Sequence, residues 1–118
     1  MGIHTSLHFL IAFFLIPLID APWLYFTSTE SLAMFNKIQG VPVRISFVPA
    51  IVVYIALAYL LIQQTSVYGA FLNGMAVYAV YDFTNLAILK DYTLKMALMD
   101  AVWGGVLFAT GYYILSKI

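Results

Sequence analysis

Cysteine is absent from this 118-residue chain, so disulfides, thiolate metal sites and thiol nucleophiles are all excluded, and a bound metal would need oxygen or imidazole ligands. Charge is scarce as well: five basic and five acidic residues make up 8% of the chain, against about 25% in an ordinary soluble domain. With 64% hydrophobic residues, there is too little polar surface to cover a soluble globule, and the chain belongs in a bilayer. The formal net charge is zero, which leaves no basic field for nucleic acid and no acidic tail for basic partners. There is no mid-span lysine for a retinal-type Schiff base, no phosphate loop and no metalloprotease histidine pair.

What is present is apolar length. Four runs, 7–27, 43–62, 67–89 and 94–116, each come close to the roughly 20 residues that cross a hydrocarbon core. They predict an all-α membrane protein: a single domain over residues 1–118 with four transmembrane helices in a compact bundle. The long connection STESLAMFNKIQGVP, from Ser28 to Pro42, alternates Glu30, Asn36, Lys37 and Gln39 with Leu32, Met34, Phe35 and Ile38, a pattern that suits a short surface helix between the first two spans. No positive segment precedes the first run and no cleavage site is convincing after Pro22, so that run is read as a retained helix. Met1-Gly2 through Ser6 fits the loose acylation pattern, which is too short to carry weight. Lys37, Arg44, Lys90 and Lys95 flank the first and third connections, whereas Lys117 stands alone at the opposite side. That bias puts those connections in the cytoplasm and both termini outside, in a plasma or bacterial inner membrane.

Three of the five acids, Asp20, Asp82 and Asp100, fall inside the predicted spans at a common depth, about 10 Å from the cytoplasmic end. A charged side chain near mid-span costs roughly 2.5–3.5 kcal/mol to insert, so these three are expected to face one another, a partner or water. Three ionised carboxylates in one place repel, which calls for a proton or a cation among them. Asn85 follows Asp82 by three residues and Trp103 follows Asp100 by three, so each pair shares a helix face. Asp20 and Trp23 repeat that spacing, and LIDAPW at 18–23 echoes LMDAVW at 98–103, a short inverted echo of the kind found around transporter sites. Pro17 and Pro22 free the carbonyls of Phe13 and Leu18 beside Asp20, either as cation ligands or as an ordinary kink. Ala97, Ala101, Gly105 and Ala109 on the fourth run, and Ala70 and Gly74 on the third, provide small faces for close helix contact. The second run has no acid and is expected to face lipid or a second subunit. Arg44 and Lys95 stand at helix ends from which they either lean toward the acids or snorkel outward. His4 and His8 read as interfacial polarity or, less often, as a metal pair.

The run Tyr81-Asp82-x-Thr84-Asn85-Leu86-Ala87, then Lys90, Leu94-Lys95 and Asp100-x-x-Trp103-Gly104, resembles an uncharacterised, chiefly bacterial family of small four-span membrane proteins catalogued as a domain of unknown function. Asp20-x-x-Trp23 resembles that family's other motif, with Pro22 inside it as a departure. The resemblance implies a four-helix fold and supplies no activity, substrate or cofactor.

Function therefore has to come from the residues. The leading expectation is a proton- or cation-coupled transporter or channel in which Asp20, Asp82 and Asp100 take the proton or small cation and Asn85 is a neutral ligand. Trp23, Tyr81, Thr84, Trp103, Arg44 and Lys95 are the supporting residues. A structural or assembly subunit, with the same polar groups as helix glue, is the second reading. An intramembrane metal-dependent enzyme is the third, although no catalytic motif stands out. Metal and cofactor stay unassigned. A pathway through so small a bundle forms more easily in a homo-oligomer, so one is expected.

Overall fold

The structure is a computed structural model that describes residues 3–118, with side chains from residue 5 onward; the Met1-Gly2 acylation pattern and the His4 side chain lie outside the described residues. The fold is all-α, with four helices and no strand among the described residues: α1 (Ile3–Gln39), α2 (Phe47–Ile62), α3 (Val67–Ile88) and α4 (Leu94–Ser116).

The expected surface helix is not a separate element. Its residues continue α1, which runs for 37 residues through both Pro17 and Pro22. Between Pro22 and Gln39 there is no glycine or proline to stop a helix. The stop comes at Gly40, whose φ of 76° is the left-handed conformation glycine adopts at no steric cost. The Gly40 N–H donates to the Asn36 carbonyl at 2.8 Å. Beyond it, the Asn36 side chain accepts from Val43 N, and Gln39 donates to the Val41 and Pro42 carbonyls. This tethered turn delays α2 to Phe47, four residues later than its apolar run suggests.

The ends of α3 and α4 have local causes. Ser66 accepts from Gly69 N at 2.9 Å and Thr93 accepts from Met96 N at 3.1 Å, each satisfying an otherwise unpaired donor of a first helical turn. Of the four helices, only α1, over Thr5–Gln39, and α4 are both long and apolar enough to cross a membrane by length and composition. The 16 residues of α2 are apolar but short. α3 has the length, but Asn73, Asp82, Asn85 and its tyrosines dilute its hydropathy.

α4 is the hub, burying Ala97, Ala101, Gly104, Gly105, Leu107, Phe108 and Gly111. Its closest neighbour is α3, while α1 packs on α2 and α4. The α3–α4 seam closes on two glycines. A Cβ on Gly74 would strike the Gly104 carbonyl and stand 2.6 Å from Phe108 Cβ, and one on Gly104 would stand 2.6 Å from the Gly74 carbonyl. α2 is less peripheral than its lack of acids suggests, since Leu57, Ala58 and Leu61 enter the main core with Ile16, Leu107 and Phe108. Its opposite face, including Val48, Val52 and Tyr59, is exposed. A second, smaller core joins Met34 on the extended end of α1 to Tyr92, Met96 and Ala97. Ion pairs from Lys37 to Asp91 at 3.6 Å and from Lys95 to Glu30 at 3.2 Å bring the first and third connections to one end of the molecule.

Candidate functional site

The acids expected to share a layer form a chain with Asp100 at its centre. Asp20 feels the Asp100 charge, and the Asp100 carboxyl lies within hydrogen-bond reach of Asp82. Asp20 and Asp82 are buried at 6% and 1% exposure, and Asp100 is half-buried. A polar side chain this deep in an apolar bundle has to find its partners within the protein.

Those partners are reciprocal between α1 and α4. Trp103 Nε1 donates to Asp20 Oδ1 at 2.8 Å, and Trp23 Nε1 donates to Asp100 Oδ1 at 3.2 Å. The two indoles stack with centroids 5.1 Å apart and planes 8° from parallel. Three residues forward on α1 corresponds to three residues back on α4, which is the register of antiparallel neighbours. The repeated Asp-x-x-Trp spacing thus has a local cause: two antiparallel helices can exchange equivalent bonds only if both carry the same spacing. A duplicated helical hairpin would instead match α1 with α3.

Asp20 is fully partnered. Its Oδ2 accepts from the Tyr54 hydroxyl at 2.9 Å, so the helix expected to face lipid or a second subunit supplies a donor to the acidic layer. Asp82 is different. Its Oδ1 accepts from the Tyr92 hydroxyl at 2.7 Å, while its Oδ2 is buried and has no hydrogen-bond donor. Tyr92 belongs to the α3–α4 connection. Burial, and then its bond to Asp82, push its phenol well above the ordinary tyrosine value, so it remains a protonated donor.

The remaining expected residues divide. Tyr81 stands beside Asn85, and Asn85 beside Tyr92, so the amide meets phenols and makes no hydrogen bond to an acid. Thr84 and Arg44 are exposed, and Lys95 is held by Glu30 at the surface. His8 is half-buried near the start of α1. Among the described residues no three His, Asp or Glu side chains come together as metal ligands, and α1 runs unbroken past Asp20 through both prolines, where the sequence left a cation-binding break and an ordinary kink as alternatives. Sequence reasoning missed Tyr54 and Tyr92. The available signal was that a phenol in an apolar run needs a partner for its hydroxyl.

Beside the acidic layer is a cavity of about 400 Å³, bounded by α1, α2, α3, Tyr92 and α4. Asp20 and Asp100 reach its wall among Trp23, Phe35, Tyr78 and Tyr81. Neither α1 nor α2 packs extensively on α3, and the lining residues Leu24, Val53 and Tyr81 are each more than half exposed, so the cavity opens sideways between these helices.

No curated protein and no solved structure matches the chain. The model of a family described as predicted membrane protein (DUF2177) matches residues 5–114, in keeping with the apolar exterior and the helical bundle; the chain belongs to this family of membrane proteins of unknown function.

Proposed function

We propose that this membrane protein exchanges a proton or a cation at the Asp82–Asp100 pair, as a small proton- or cation-coupled transporter or channel. The observation that carries the reading is the donorless Asp82 Oδ2, 1% exposed as a residue and set against a second carboxyl. Two carboxyls within hydrogen-bond reach are stable together when a proton or a cation lies between them. The groups facing the pair are Asp20, Tyr78, Tyr81, Tyr92 and Asn85, none of which is cationic. The positive charge therefore has to come from outside.

Asp20 has the other role. Its two oxygens hold donors from α4 and α2, which supports its reading as the glue of the three-helix contact. The finer membrane arrangement belongs to the same proposal: all four helices cross the bilayer, with α2 tilted little and α3 shielding its polar face against α4. The lysine-bearing connections face the cytoplasm and both termini face out. A homo-oligomer covers part of the exposed apolar flank of α2.

Proteoliposomes loaded with a pH-sensitive dye test the function. Wild type should dissipate an imposed pH gradient, and Asp82→Asn and Asp100→Asn, each checked for folding, should not. Equal traces from wild type, both variants and empty liposomes would return the pair to a structural role.

A further inference from the structure

We infer that the lateral cavity is a binding site for a lipophilic organic monocation, with the charge placed against Asp100 and the apolar body among Trp23, Phe35, Tyr78 and Tyr81. This deepens the exchange reading and rests on it, because it names the cation that competes with the proton at Asp100.

Size and shape come first. A volume of about 400 Å³ falls in the range of small-molecule sites, roughly 300–1,000 Å³, which are lined mainly by apolar and aromatic groups with a few fixed polar ones. Charge comes next. The wall contains two carboxylates and no lysine or arginine. Lys37 and Lys95 are at the surface and are already paired with Asp91 and Glu30. An anion would meet like charge here, and a neutral acyl chain would leave the carboxylates without a counter-charge in a low-dielectric setting.

An inorganic cation fits poorly. Mg²⁺ and Ca²⁺ need about six or more oxygens, whereas both Asp20 oxygens already hold donors and the Thr27 hydroxyl is tied to the Trp23 carbonyl, which leaves Asp100 and the Ser31 hydroxyl among phenols and apolar side chains. Indole and phenol rings instead suit an organic cation, whose diffuse charge is attracted to their faces and whose carbon body replaces lipid contact. Asp100 is the carboxylate best placed to receive it. It lines the cavity, its indole bond of 3.2 Å is longer than that of Asp20, and it lies within hydrogen-bond reach of Asp82, whose unpartnered oxygen can carry a proton. Entry is from the bilayer, through the flank where Leu24, Val53 and Tyr81 are exposed. When the cation arrives, the O–H bond of the protonated carboxyl in the Asp82–Asp100 pair breaks and its proton leaves to solvent, so one positive charge replaces another and no other covalent bond changes.

Equilibrium dialysis of the purified, detergent-solubilised protein against tetraphenylphosphonium, corrected for protein-free micelles, tests the site. Tetraphenylborate, of the same shape and opposite charge, is the control. Tetraphenylphosphonium should bind saturably and at least about tenfold more tightly than tetraphenylborate, with a similar loss in Asp100→Asn. If Asp100→Asn does not fold, Val77→Phe, which narrows the cavity and keeps every acid, should weaken binding by a comparable factor. Equal binding of the two ions, or wild-type binding by the folded variants, would overturn the site. A pH indicator in weak buffer separates this inference from the one beneath it. Proton flux in liposomes without tetraphenylphosphonium binding rejects the organic-cation site and leaves proton exchange standing. Saturable binding without proton release upholds the site and rejects the coupling.

Discussion

Two carboxylates of the acidic layer, Asp20 on α1 and Asp82 on α3, differ in what is left for them to do. Asp20 spends both oxygens on donors from other helices, Trp103 at 2.8 Å and Tyr54 at 2.9 Å. Asp82 is more deeply buried and has one donor, Tyr92, with its second oxygen facing no donor at all. Burial alone does not separate the two acids, since both are nearly inaccessible. The separation lies in hydrogen-bond completeness: a satisfied acceptor gains nothing from a proton or a ligand, whereas an unsatisfied one still has free energy to recover by meeting one.

The comparison can be broken most severely at the seam that creates the Asp82–Asp100 pair. Gly74→Leu forces a side chain into the Gly104 carbonyl and Phe108, both parts of a closely packed helix pair. It should lower stability by about 3 kcal/mol or more, because overpacking against backbone cannot relax by rotamer change. Reversible unfolding in detergent reads the loss, and a variant as stable as wild type would show that α3 and α4 do not meet there.

Next in size is the clasp on the Asp20 side. Trp103→Ala removes a stacked indole and a donor to a buried carboxylate, and should cost about 3 kcal/mol. Asp20→Asn keeps an acceptor for Trp103 and should cost under about 1.5 kcal/mol while leaving liposome proton flux in place. Flux abolished by Asp20→Asn in a protein that still folds would move Asp20 into the exchanging group.

Tyr92→Phe probes the other acid. It deletes the one donor that Asp82 has among the described residues, with little change of shape, and should destabilise by about 1–3 kcal/mol, the cost of leaving a buried acceptor unpaired. The companion change Asp82→Asn should recover part of that loss in the double variant, since a neutral amide tolerates the vacancy better than a carboxylate. Additive effects in the double-mutant cycle would mean that the two side chains do not interact.

The smallest effect belongs to the surface. Lys95→Ala breaks an ion pair with Glu30 whose side chains are 67% and 46% exposed, and should change stability by less than about 0.5 kcal/mol, with any change fading in salt. A larger loss would show that the extended end of α1 depends on this pair more than on the Met34–Tyr92–Met96 core.

Much of the architecture was legible because bilayers impose a coarse rule. The apolar runs of spanning length at 67–89 and 94–116 begin where the structure starts α3 and α4. α1 was misjudged because hydropathy falls after Thr27 while helix propensity does not. Ser28–Gln39 lacks a breaker, so the helix continues after the apolar stretch ends. Tyr54 was passed over because a helix without acids reads as lipid-facing, although its hydroxyl needs a partner as much as an acid does.

The sequence by itself determined the class of protein, the four apolar runs on which the helices form and the presence of three acids within those runs, because these follow from composition and from residue spacing along one helix. It also carried the matched Asp-x-x-Trp pairs, though not their meaning. Only the tertiary structure decided that Trp23 serves Asp100 and Trp103 serves Asp20, that Tyr54 completes one acid, and that Asp82 keeps a free oxygen beside Asp100. Hydrogen bonds across helices depend on interaxial distance and register. For Asp82 beside Asp100 these are set where Gly74 and Gly104 let the backbones of α3 and α4 touch, a contact between residues 30 positions apart that no local pattern encodes.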